Sequence, residues 1–154
     1  MSIRRNNCAR KIEEAGLDAV LVANGATFQY LSECTDFFWQ RSCMNNIAGS
    51  LSAKILPETL IYLDAHGNCV IFTIPQHKDK FKDNKVEDAM APYIKAKKIA
   101  IGTDCKQYLR DVLKEVDNSI EVIDGADELF FSLRAIKDAD EIEHMSKLAA
   151  FTDE

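Results

Sequence analysis

The sequence predicts an α/β fold: a three-layer sandwich with a mixed central sheet that includes one β-hairpin, and with flanking helices. Three observations carry this. Helix-like and strand-like segments alternate along the 154 residues, as in α/β domains. Leu17 to Ala23 is a nearly continuous apolar run, the pattern of a strand buried on both faces. Thr59–Leu63 and Cys69–Thr73 are strand-like and joined by Asp64-Ala65-His66-Gly67-Asn68, so at least one pair is antiparallel and the sheet is mixed.

Taken in order, Ser2 caps a first helix from Ile3 to Ala15, with Ile3, Cys8, Ile12 and Ala15 along one face and Gly16 as its stop. The apolar strand follows. Asn24-Gly25 signals a turn, and Thr27 to Leu31 reads as a short helix. Residues 32–50 mix aromatic and polar side chains without a clean period and are expected to form a long loop, strand-like near its end. After the hairpin come a helix over 86–95, a strand at Lys98–Gly102 and a helix over Gln107–Val116 with Leu109, Val112, Leu113 and Val116 on one side. A strand at Glu121–Asp124 and a short helix over Ala126–Leu133 complete the body. Asp138 then starts a last helix, with Glu141 three residues on as in a capping box. Ile142, Met145 and Ala149 are expected to face inward on it, and Glu143 and Lys147 to pair on its outside.

Composition narrows the function. At 47% hydrophobic and 29% charged residues, the chain has enough apolar material for a core, which excludes disorder. The formal net charge of −6 argues against nucleic acid as the main partner. Lysines gather between Lys78 and Lys98, but Asp79, Asp83, Glu87 and Asp88 interleave with them, which reads as a solvated helix face. No apolar stretch approaches the ~20 residues of a membrane span, and Arg4 and Arg5 lead into polar residues rather than a signal-peptide core. A cytoplasmic protein with no membrane partner is expected. The five cysteines (Cys8, Cys34, Cys43, Cys69 and Cys105) are odd in number and widely spaced, which suits free thiols better than disulfides or zinc.

Motifs for chemistry are scarce. Dinucleotide and phosphate-binding glycine loops, the serine-hydrolase elbow and H-E-x-x-H are all missing. His66, His77 and His144 are scattered. Asp127 and Asp138 have a separation that could suit a two-metal site, but the first sits in a helical turn, the second is a cap, and no further ligands accompany them. No catalytic residue, metal ligand or cofactor is assigned to this chain.

Three segments carry a family resemblance. Gly16-Leu17-Asp18-Ala19-Val20-Leu21-Val22, followed by Tyr30-Leu31, resembles the opening of creatinase/prolidase N-terminal domains. Lys98-Ile99-Ala100-Ile101-Gly102 is similar to a later strand of that family. Leu133-Arg134-Ala135-Ile136-Lys137-Asp138, continuing through Glu141-Ile142 to Ala149-Ala150-Phe151-Thr152-Asp153, is similar to its connector helix. The resemblance implies a creatinase/prolidase N-terminal domain with its ribonuclease H-like motif over 1–137, and a connector over 138–154 leading to an absent catalytic "pita-bread" domain. It implies an Xaa-Pro dipeptidase or aminopeptidase parent, whose two divalent metals (manganese or cobalt) are held by two Asp, one His and two Glu downstream. Its partners would be the chain's own C-terminal catalytic domain, a second copy in a homodimer, and a proline-containing peptide. This domain would serve dimerisation and active-site access. The family often has Thr-Gly-Phe where this chain has Ser32-Glu33-Cys34. Beyond it, Trp39 and Arg41 would form a substrate-access loop, as an aromatic wall for a proline ring and a cation for a peptide carboxylate. Alternatively, Phe37, Phe38 and Trp39 plug a core or an interface. Two other readings stay open: the N-terminal domain of a non-catalytic, peptide-binding relative, and a free-standing α/β ligand-binding domain.

Overall fold

A computed structural model describes residues 2–23, 25–34, 59–73, 75–81, 84–87, 89–103 and 106–152. Among the described residues, six strands form one sheet: β1 (Ala19–Ala23), β2 (Thr59–Asp64), β3 (Cys69–Thr73), β4 (Val86–Glu87), β5 (Lys98–Ile101) and β6 (Glu121–Asp124). Their order across the sheet is β4-β3-β2-β1-β5-β6. The pairings β1–β2 and β2–β3 are antiparallel, whereas β1–β5, β5–β6 and β3–β4 are parallel. The mixed sheet and the hairpin are as the sequence predicts.

The period-2 geometry of strands splits the apolar residues into two cores. Val20 and Val22 of β1 pack with Ile61, Leu63 and Ile71 beneath α1 (Ile3–Glu14) and α2 (Ala26–Ser32). Ala19, Leu21 and Ala23 face the other way, with Leu60, Tyr62, Ile99 and Ile101, against α3 (Lys106–Val116) through Leu109 and Leu113. All of β1 is buried, which explains its unbroken apolar run. Helices on both faces make the three layers.

Local chemistry fixes the joints. Ser2 Oγ accepts from Arg5 N at 3.2 Å, the expected cap of α1. Cys8, Ala9 and Ile12 are the buried residues of that helix, while Ile3 and Ala15 at its ends are exposed. Arg5 reaches from α1 to the free carbonyls ending α2, donating from Nε to Leu31 O at 2.8 Å and from Nη2 to Ser32 O at 3.2 Å. In the hairpin, Asp64 Oδ1 accepts from His66 N at 2.9 Å and Asn68 N at 2.8 Å, and Gly67 takes the left-handed φ of 86° that the turn needs. Asp18 Oδ2 accepts from both Lys97 N and Lys98 N at 2.8 Å, pinning β5 beside β1. Those two backbone bonds hold the Asp18 carboxyl below its ordinary range.

Four segments differ from expectation. No helix forms among the described residues of 86–95: Val86 and Glu87 add to the sheet edge, with Ile71 N donating to Lys85 O at 2.9 Å, and only turns follow among those described. Pro92 offers no N–H to a helix and biases the residue before it away from helical geometry. A 3₁₀ helix over Pro75–Phe81, which the sequence did not signal, buries Phe81 instead. The expected helix over 126–133 is two pieces, α4 (Ala126–Leu129) and α5 (Phe131–Ala135), breaking at Phe130, whose ring is fully buried. Finally, α6 (Ala139–Thr152) does not turn Ile142, Met145 and Ala149 inward: all three are exposed. None of the described helices is long and apolar enough to cross a membrane.

Candidate functional site

In open α/β sheets, ligands bind outside the carboxyl ends of strands where the chain departs to opposite faces. Here that point lies between β1 and β5, because α2 packs on one face and α3 on the other. The place is already filled by Asp127. Its Oδ1 accepts from Thr27 Oγ1, and its Oδ2 accepts from Thr103 N at 2.6 Å and Thr103 Oγ1 at 2.9 Å. Arg134 Nη1 donates to the same Thr27 Oγ1 at 3.1 Å. Gly102 makes the approach feasible: a Cβ there would stand 3.2 Å from both Asp127 Oδ2 and Val22 Cγ1. Burial pushes the Asp127 carboxyl upward, but the bonds from Thr27 and Thr103 together outweigh it and hold the group below its ordinary range. This is an internal strut, with its lone pairs engaged by the protein itself.

The second feature lies at the C-terminal end. Asp138 and Glu141 form the predicted capping box: Glu141 N donates to Asp138 Oδ1 at 2.9 Å, and Asp138 N donates to Glu141 Oε2 at 3.0 Å. Arg4 of α1 joins them, donating from Nε to Asp138 Oδ2 at 2.8 Å and lying 5.5 Å from the centre of the Tyr30 ring. Hydrogen bonds from Glu141 N and Arg4 hold the Asp138 carboxyl low. A cleft of about 880 Å³ opens here, lined by Arg4, Tyr30, Glu33, Phe131, Arg134 and Met145 among others. Around it stand large apolar side chains in water: Phe131 is 66% exposed, Ile136 77% and Phe151 84%, and Ile142, Met145 and Leu148 are exposed too. On α6 the spacing of Ile142, Met145, Leu148 and Ala149 makes a stripe along one side. The predicted Glu143–Lys147 pair spans 2.5 Å on the other. Several large apolar side chains exposed near one another and rimmed by charge have the character of an interface.

Trp39 and Arg41 lie outside the described residues, as do Phe37, Phe38, Cys43 and Cys105. Asp127 and Asp138 are not brought together, since each serves its own set of partners. Among the described residues, no group of three or more His, Cys, Asp or Glu could hold a metal ion. The described residues therefore do not fit a two-metal centre. His66 is exposed in the hairpin turn, and His144 Nδ1 lies 2.9 Å from Asp140 O. Burial pushes the Cys8 thiol up to about 12 and the Cys69 thiol up to about 11, so neither is a ready nucleophile. Sequence reasoning missed Arg4, Thr27 and Thr103, whose partners are far away in the chain.

No family model matches the chain, and no curated protein matches it. Solved structures do. The chain is similar to the prolidase from Thermococcus sibiricus (TM-score 0.67, 20% identity, 99% of this chain and 42% of that one). It is also similar to the prolidase from Pyrococcus horikoshii OT3 (TM-score 0.64, 17% identity, 92% of this chain and 38% of that one). A third likeness is to the N-terminal, creatinase/prolidase-like domain of a metallopeptidase described from Corynebacterium diphtheriae (TM-score 0.54, 14% identity, 79% of this chain and 92% of that one). The fold is that of the creatinase/prolidase N-terminal domain, as the sequence resemblance implies. The chain spans about two fifths of the length of the two prolidases.

Proposed function

We propose that this chain is the non-catalytic N-terminal domain of an Xaa-Pro peptidase, a dipeptidase or an aminopeptidase, with residues 1–137 as the domain and 138–154 as the connector. The observation that carries this is the match of its fold, over nearly its whole length, to part of much longer prolidases. The apolar stripe of α6 supports it, because such a face suits packing against a further domain of the same polypeptide. In this reading two divalent metals, manganese or cobalt, belong to the catalytic half, where they would activate water for attack on the bond before proline. The present domain contributes contacts in a homodimer and restricts access of the proline-containing peptide, with Trp39 and Arg41 as the access loop. The cytoplasm is the proposed compartment.

Two measurements test this. The 154-residue chain, incubated with Mn²⁺ or Co²⁺ and an Xaa-Pro dipeptide, is expected to give no hydrolysis above the metal-only control. Sustained turnover overturns the non-catalytic assignment. The reading frame beyond codon 154 is expected to encode the two Asp, one His and two Glu of a two-metal hydrolase. An unrelated domain there overturns the peptidase parent.

A further inference from the structure

We infer that Arg4 is a positioning residue for α6, the side chain that sets the direction in which this helix leaves the body. The helix needs such a device. None of its described residues is buried, and its stretch of 14 residues is about the length at which isolated helices are marginal in water. The link before it is extended, with Ile136 at φ −89° and ψ 114°, and exposed, so packing does not fix the angle.

From α1, Arg4 meets two other elements at once, α6 and α2. Its Nε and Nη2 both donate to Asp138 Oδ2, which is the cap of α6. Its Nη2 lies 3.6 Å from Glu141 Oε2 in the first turn. Its guanidinium carbon stands over the Tyr30 ring of α2. A planar guanidinium can satisfy a carboxylate edge-on while stacking face-on, which an ammonium cannot. Charge makes the same point. Glu33 at the end of α2 also acts on Arg4, whose guanidinium therefore stands among three carboxylates, Glu33, Asp138 and Glu141, in a cleft that Lys137 and Asp140 also line. Without it, Glu33 and the carboxylates at the base of α6 lose the cation that bridges them.

The inference stands on this geometry and holds whether or not the parent is a peptidase. Where the peptidase reading also holds, Arg4 sets the angle between the two domains.

Residual dipolar couplings of backbone N–H groups test it on the 154-residue chain without labelling its cysteines. In the unmodified protein, α6 and the sheet are expected to fit one alignment tensor. In Arg4→Gln, the couplings of α6 should fall to less than half while its Cα shifts stay helical and the sheet spectrum is unchanged. Arg4→Lys should recover part of the loss, and Arg4→Gln/Glu33→Gln should recover more than Arg4→Gln alone by removing one of the carboxylates left without that cation. Unchanged α6 couplings in Arg4→Gln overturn the proposal. So does loss of the helical shifts, because Arg4 would then hold the helix together rather than aim it. Separate tensors in the unmodified protein overturn it as well.

Discussion

Phe28→Ala is expected to destabilise the domain by about 4 kcal/mol, the range for removing a fully buried phenylalanine ring. Phe28 is completely inaccessible and meets Phe81 edge to face, with ring centres 5.8 Å apart and planes at 80°. Its loss opens a hole between α2 and the sheet, and it deprives Phe81 of its partner, a contact worth about 1 kcal/mol beyond area alone. Neither neighbour can move in easily: Leu31 is on the same helix, and Ile61 is held in the central strands. At roughly 3 °C per kcal/mol for a domain of this size, the midpoint of thermal unfolding should drop by about 12 °C. A calorimetric scan checks this. Phe28→Leu keeps most of the volume and should recover more than half of the loss.

Asp127→Ala is expected to cost about 3 kcal/mol. The carboxylate takes three hydrogen bonds from two threonines, and alanine leaves those donors unpaired in a half-buried place. Urea unfolding at pH 7 measures the difference. Asp127→Asn should fall in between, because an amide oxygen accepts but its NH₂ meets donors. The effect depends on pH with a definite sign. The folded carboxyl titrates below its unfolded value of about 3.9, so its contribution is complete above that value and is lost as pH falls through the lower folded one. The gap in stability between the unmodified protein and Asp127→Asn is therefore expected to be constant from pH 5 to 7 and to narrow below about pH 4. A gap that widens in acid would contradict the assignment.

Much of the fold was legible because the signals are local. The Leu17–Ala23 run, the Asp64–Asn68 turn with Gly67, and the Asp138/Glu141 cap each state their structure within a few residues. What escaped was long-range. The two-residue β4 exists because Val86 finds Ile71, and Pro92 undoes the helical pattern after it. The strut at Asp127 gathers Thr27 from 100 residues away and Thr103 from 24, a juxtaposition no periodicity encodes. The inward face expected of α6 had the right pattern, for apolar residues do line one side, but a pattern does not say what covers it. The cap that starts α6 was readable as a motif. Its clamp was not, since Arg4 lies 134 residues before Asp138.

An open sheet always ends in two strands with unpaired backbone groups, each an invitation to another chain. Among the described residues, one is short and the other is partly covered. On one side β4 runs for only two residues, too short to template a partner. On the other, Arg110 reaches over β6, donating from Nη1 to Val122 O at 3.3 Å and from Nη2 to Asp124 Oδ1 at 2.6 Å, so a carbonyl that would accept a new strand is already taken. Among the described residues, the surface left sticky is mostly helical, made of side chains rather than backbone. When copies of this protein meet at high concentration, their contact should therefore be of the kind that dilution reverses, not the cross-strand growth that ends in fibres.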